Sequence, residues 1–193
     1  MEHKFFDEYW ENLGNAFGGL DRKEFYRAVD ILTEAYRGGR QIFCVGNGGS
    51  AATANHFVCD FGKNAVQDPS KRRFRMISLS DNVEKITAFG NDVAFDEIFR
   101  QQLINLMDEG DVLLAISASG NSPDLVRACE YAREKNGLII TVSGYNGGKI
   151  REFADASLVA HLESYEQIED IHMIIMHMFV CWFKTHPESL AAV

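Results

Sequence analysis

Apolar side chains open the chain in helical register. Phe5, Phe6, Tyr9, Trp10, Leu13 and Phe17 recur at three- and four-residue spacings and so share one helix face. A second helix is predicted from about Asp21 to Tyr36, with Asp21 as its cap and Gly38-Gly39 as its stop. The pattern then changes. QIFCVG (41–46), FRMISLS (74–80), DVLLAIS (111–117), LIITVS (138–143) and ASLVA (156–160) are short apolar runs. Helices are predicted between them at 50–66, 82–88, about 94–107 and 122–135, and a last one from about Tyr165 to Lys184. Continuous rather than alternating apolar runs belong to strands covered on both faces. Strands alternating with helices form a parallel, doubly wound α/β sheet, which binds ligands beyond the carboxyl ends of its strands. No repeat, low-complexity segment or linker interrupts the 193 residues. The expectation is one domain over 1–193, with a helical extension over about 1–38.

Composition narrows the partners. The formal net charge is −9, which argues against broad binding to nucleic acid or to an anionic membrane, since both need a basic face. A small anion is still admissible, because backbone N–H groups can bind phosphate whatever the net charge. Cys44, Cys59, Cys129 and Cys181 are scattered without a CxxC pair; buried free thiols in a reducing cytoplasm are expected rather than disulfides. The opening MEHKFFDEYWEN is too broken by charge to read as a signal peptide, and no apolar stretch approaches membrane-spanning length.

Two strand-to-helix loops carry candidate chemistry. The first is Gly46-Asn47-Gly48-Gly49-Ser50, the second Ser117-Ala118-Ser119-Gly120-Asn121-Ser122-Pro123. Ser122-Pro123 is a strong helix start, and Ser50 suits the same cap role. Helix N-termini favour anions, glycines admit close approach, and serines add donors. Any strand-to-helix turn favours Gly, Ser and Asn, so one such loop says little; two at neighbouring strand ends say more. Neither is a GxGxxG or GK[ST] loop, which disfavours nucleotide hydrolysis and suits a monophosphate ester.

Beyond the first loop, His56 and Asp60 lie four residues apart on one helix face, where they could chelate a metal or be only a solvated pair. The last helix adds Glu169, Asp170, His172 and His177 beside an apolar face of Ile168, Ile171, Ile174, Ile175, Met178, Phe179 and Trp182. That face implies burial, and buried polar groups need partners; His172 is read as a core or interface histidine bonded to backbone. Glu169 and His177 stand about 12 Å apart by helical rise and reach one ion only by leaning together. Glu169 with His172 is the easier local pair, and spacing alone leaves the choice open.

Taken together, GNGGSAATANHF, FGND, GDVLLAISASGNS and IEDIHMIIMH resemble the SIS (sugar isomerase) domain, and within it the phosphoheptose isomerase branch, over nearly the whole chain. The resemblance implies a flavodoxin-like five-stranded parallel sheet, with helices at both chain ends in the contacts of a cytoplasmic homotetramer whose active sites lie between subunits. It implies isomerisation of D-sedoheptulose 7-phosphate to D-glycero-D-manno-heptose 7-phosphate. Carried over, Asn47, Gly48, Gly49 and Ser50 hold phosphate and sugar; Ser117, Ala118, Ser119 and Ser122 complete the cradle; Asn91 and Asp92 lie nearby. Zinc ligands fall on His56, Asp60, Glu169 and His177, whereas His172 matches a family histidine outside that set. Three positions depart from the family: Asp60 where Glu is usual, Glu169 where Gln is usual, and Asn64 where Arg is usual, with Lys63 a candidate substitute. The ligand set suits zinc and tolerates manganese or iron(II).

Aldose–ketose isomerisation moves a proton between C1 and C2 through an enediolate. Asp60 or Glu169 is the expected base and His177 the acid, with a metal stabilising the oxyanion. Rival readings are a tetrameric scaffold that binds the bacterial replication-initiator protein, a regulatory domain that only senses a sugar phosphate, and an isomerase of a different heptose or hexose phosphate.

Overall fold

The computed structural model describes residues 3–191. Its elements follow in the order α1 (Lys4–Gly18), α2 (Arg22–Gly38), β1 (Gln41–Val45), α3 (Gly48–Lys63), β2 (Arg75–Ser78), α4 (Val83–Asp92), α5 (Ile98–Leu106), β3 (Val112–Ser117), α6 (Pro123–Glu134), β4 (Leu138–Gly144), β5 (Ala156–Ala160) and α7 (Tyr165–Thr185). The five strands form one parallel sheet in the order β2-β1-β3-β4-β5. This is the flavodoxin-like α/β architecture expected. The order reverses between β1 and β3, so the loops after these two strands flank the switch point, where ligands of open α/β sheets bind.

The apolar runs are continuous because the sheet has two cores. Ile42, Cys44, Val112, Leu114, Ile116, Ile140 and Val142 face α2, α3 and α7, and their neighbours Phe43, Val45, Leu113, Ala115 and Ile139 face α5 and α6. Every residue of β3 is buried. The cap readings hold for α2: Asp21 accepts from the Lys23 N–H at 2.8 Å, and Gly39 ends the helix in the left-handed region at φ 67°.

Several details differ from expectation. Asn47, not Ser50, is the N-terminal cap position of α3; Ser50 lies inside the first turn, because the strand ends early and Gly48 already begins the helix. The stretch at 94–107 is a short 3-10 turn followed by a nine-residue helix. All four thiols are free, but only Cys44 and Cys129 are buried; Cys59 and Cys181 sit on solvent-facing sides of α3 and α7. On α7, Ile174 and Met178 face outward rather than into the core.

An aromatic seam fixes α3 against α7. Phe57 and Phe61 meet Phe179 and Phe183, with the Phe61 and Phe183 rings 5.7 Å apart at 70°, and all four are buried. Removing one such ring costs about 3–5 kcal/mol. Whatever stands on the edge of this seam is held by its rigidity.

Candidate active site

The first loop is pinned from both sides. Ser80, just after β2, accepts from the Gly46 N–H at 3.1 Å and donates to the Gly46 carbonyl at 2.8 Å. The Asn47 side chain makes no cap bond to α3; its Nδ2 donates instead to Asp124 Oδ2 at 2.8 Å, tying the first loop to the start of α6. Burial pushes the Asp124 carboxyl above its usual range, partly offset by hydrogen bonds from Asn47 and from the N–H groups of Asp124 and Leu125. In contrast with α2, α4 and α7, whose caps accept from first-turn N–H groups, the first turn of α3 keeps its donors free of a cap side chain. Such a turn is a ready anion site.

The second loop turns at Gly120, φ 66°, where the Gly147–Gly148 backbone packs so closely that a side chain would collide with it. Its hydroxyls face the first loop across a cleft of about 110 Å³, lined by Asn47, Ser50, Ile116, Ser117, Ala118, Ser119, Ser122, Tyr165 and Glu169. Among the described residues the cleft has no cationic lining residue. Its size suits a compact anionic group rather than a whole ligand of the kind that fills roughly 300–1,000 Å³. Asn91 and Asp92 are not part of this lining. They end α4 on the surface, with Asn91 Nδ2 donating to Asp92 Oδ1 at 2.7 Å.

Two helical turns along α3, His56 and Asp60 meet His177 of α7. Asp60 Oδ2 lies 3.4 Å from His56 Nε2 and 3.6 Å from His177 Nε2, and the two imidazole rings stand 5.2 Å apart at 73°. One donor atom from each falls within 4.8 Å of the others, so the three could hold a metal ion. The separations suit one: two ligands bonded tetrahedrally to zinc at about 2.0–2.2 Å lie roughly 3.3–3.6 Å apart. Asp60 is mostly buried while both imidazoles are half-exposed, which leaves the open side of the group toward solvent.

The structure separates residues that spacing left ambiguous. Glu169 lies outside the three-residue group. Its carboxylate packs against Gly49, at the start of α3, where a Cβ on residue 49 would collide with both oxygens. His172 is fully buried and turned away, beside the Ser143 backbone; among the described residues neither of its ring nitrogens has a hydrogen-bond partner, nor has Ser143 Oγ. Its expected bond to backbone is therefore absent in good geometry. Burial pulls the His172 imidazole down to about 4, slightly offset by the Ser143 backbone. Asn64 is not beside the cleft. It closes α3, and its Nδ2 donates to Asp60 Oδ1 at 3.0 Å.

Sequence reasoning passed over Ser80 and Asp124. Asp124 carried a signal, since Ser-Pro-Asp at a helix start places a carboxylate in the first turn, where it meets free N–H groups. Ser80 carried none, because its bond to Gly46 spans 34 residues.

A family model for the SIS domain matches residues 6–144. The chain is 34% identical over 179 residues to a phosphoheptose isomerase of a Nitratiruptor species, covering 92% of this chain and 90% of that one. It is 40% identical over 151 residues to the phosphoheptose isomerase of Pelobacter propionicus, covering 78% of each. Its fold is similar to the solved phosphoheptose isomerase of Neisseria gonorrhoeae, with a TM-score of 0.84, 27% identity, and coverage of 94% and 95% of the two chains. The chain therefore belongs to the SIS domain family, in its phosphoheptose isomerase branch.

Proposed function

We propose that the protein is an aldose–ketose isomerase that converts D-sedoheptulose 7-phosphate to D-glycero-D-manno-heptose 7-phosphate. One observation carries the reading: an anion-binding cleft and a His–Asp–His group stand on the same pair of helices at a separation a heptose phosphate can span. Gly49 and His56 are seven residues apart on α3, about 10.5 Å by helical rise. An extended chain advances roughly 1.1–1.2 Å per bond, so the six bonds from C1 to C7 cover about 7 Å, and the phosphate ester brings the total to about 9–10 Å. Phosphate in the cleft thus leaves C1 and C2 beside Asp60 and His177. The names of the relatives support the same substrate class.

The roles follow from position. Ser50, Ser117, Ser119 and Ser122, with the first turn of α3, bind the phosphate and orient the chain. Asp60 takes the proton from carbon and His177 moves the proton on oxygen. The geometry supports Asp60 over Glu169 as base, because Glu169 sits at the phosphate end. His56, Asp60 and His177 would hold zinc or another divalent ion, which supplies Lewis acidity toward the sugar oxygens. Asn91 and Asp92, exposed in one chain, are assigned to sugar contacts in the assembled protein. The whole chain acts as one SIS unit in the cytoplasm; no described helix is long and apolar enough to cross a membrane.

The test is solvent proton exchange into C1 or C2 of the sugar phosphate, followed by mass spectrometry or NMR. Asp60→Ala and His177→Ala are expected to lower exchange at least about 100-fold, the usual scale of acid–base catalysis. Exchange at the wild-type rate in both variants would overturn the mechanism.

A further inference from the structure

We infer that Asn64 is a positioning residue that makes Asp60 a one-oxygen ligand of the divalent-ion site; the inference rests on that site being real. The two Asp60 oxygens have different surroundings. Oδ2 faces both imidazoles, at 3.4 and 3.6 Å. Oδ1 accepts from Asn64 Nδ2 at 3.0 Å, one helical turn further along α3. The amide orientation follows from chemistry: an ionised carboxylate only accepts, so the nitrogen of Asn64 must be the atom that faces it.

The arrangement answers a specific need. A free aspartate rotates broadly about its terminal torsion, and either oxygen, or both, can turn toward an ion. Hydrogen-bonding one oxygen fixes the plane of the group and leaves the other as the donor. Asn64 is itself held. It sits at the C-terminal cap position of α3, its own N–H donates to the Asp60 carbonyl at 2.6 Å, and its carbonyl accepts from Gln67 Nε2 at 2.7 Å. An amide also orients the carboxylate without neutralising it. A guanidinium or ammonium in the same place would pair with Asp60 and weaken its hold on a cation. Lys63, the neighbouring cation, makes no ion pair with Asp60 among the described residues. Outer groups of this kind are worth about 10–100-fold in metal affinity.

The experiment titrates the purified metal-free full chain with Zn²⁺ against a chromophoric chelator, and records the visible d–d spectrum of the Co²⁺-loaded form. Asn64→Leu and Asn64→Ala lose the donor without adding charge, and both are expected to weaken Zn²⁺ binding about 10–100-fold. The Co²⁺ bands are expected to weaken and shift as Asp60 becomes free to bind through both oxygens. Asn64→Gln, which restores an amide, is expected to recover part of the affinity. Thermal unfolding of the metal-free variants serves as the control for folding, and whichever of the two donor-loss variants unfolds as the wild type does carries the comparison. Zn²⁺ binding and Co²⁺ bands equal to wild type in that variant would overturn the inference while leaving the metal site intact. Wild-type protein that binds Zn²⁺ no better than Asp60→Ala would remove the site, and the inference with it.

Discussion

Glu169 places a carboxylate at the mouth of the first turn of α3, where the proposed substrate places a phosphate. Two like charges about 4 Å apart repel by roughly 1 kcal/mol in a water-like medium and several times that near a protein surface. Glu169→Gln is therefore expected to lower the KM for the sugar phosphate at least about fivefold with little change in kcat. Steady-state kinetics at fixed ionic strength checks it, and a loss of kcat would return Glu169 to the catalytic set. This residue also marks how far single positions were legible. Helical spacing put His56 and Asp60 on one face but left a chelating pair and a solvated pair both open, and the serine loops stood out by composition only because there were two of them. The location of Glu169 did not, because its oxygens reach Gly49 only once α7 is docked on α3, and nothing in an eight-residue spacing says in which direction a side chain leans.

At the scale of elements, the α3–α7 seam decides what the site can be. Its four phenylalanines face inward and carry His56, Asp60 and His177 on their margin, so the same packing that stabilises the helices also sets the distance between donors. That coincidence was hidden in the sequence: each helix showed its own apolar stripe, but the register of one stripe against the other is a tertiary property. The strands were easier to read, because burial on both faces leaves an apolar run that no surface helix produces. α7 also carries His172, buried and neutral. The unfolded chain takes up a proton there below its ordinary value of 6.5, whereas the folded protein resists until about 4. Stability attributable to this residue is thus complete above pH 6.5 and declines as pH falls toward 4, by a total of about 3 kcal/mol. Urea unfolding of wild type and His172→Asn across about pH 4–7 checks the sign: the variant is expected to lose less stability on acidification. A parallel decline in both proteins would show that the buried imidazole is not responsible.

At the scale of the whole molecule, one face is unfinished. Phe5 and Trp10 on α1 are 64% and 67% exposed, and Phe6, Phe17, Tyr26, Ile174 and Met178 are further large apolar or aromatic side chains left exposed by α1, α2 and α7. α1 is nevertheless anchored: Tyr9 Oη donates to Asp170 Oδ2 at 2.7 Å, and Gln167 Nε2 donates to the Tyr9 carbonyl at 2.9 Å. A held helix with an uncovered aromatic face is the surface expected of a self-associating protein, in line with the homotetramer that the family resemblance implies. Phe6→Glu with Trp10→Glu is expected to reduce the assembly to smaller species, measured by light scattering after size-exclusion chromatography; an unchanged mass would exclude this face as the contact. The overall architecture was largely legible because strand order in a doubly wound sheet is heavily constrained, while the shape of the assembly was not, since an exposed Phe and a buried one look alike in a sequence. The helical stretch from Gly49 to His56 has an evolutionary consequence. Inserting a single residue there would swing the imidazole by about 100°, so the enzyme's reach cannot be lengthened by small increments of chain. Changes of substrate length must instead be accommodated at the two ends, by trading one side chain for a shorter or longer one, and the aspartate at position 60, where the resemblance to the family implies a glutamate, is the kind of adjustment that such a rigid gauge permits.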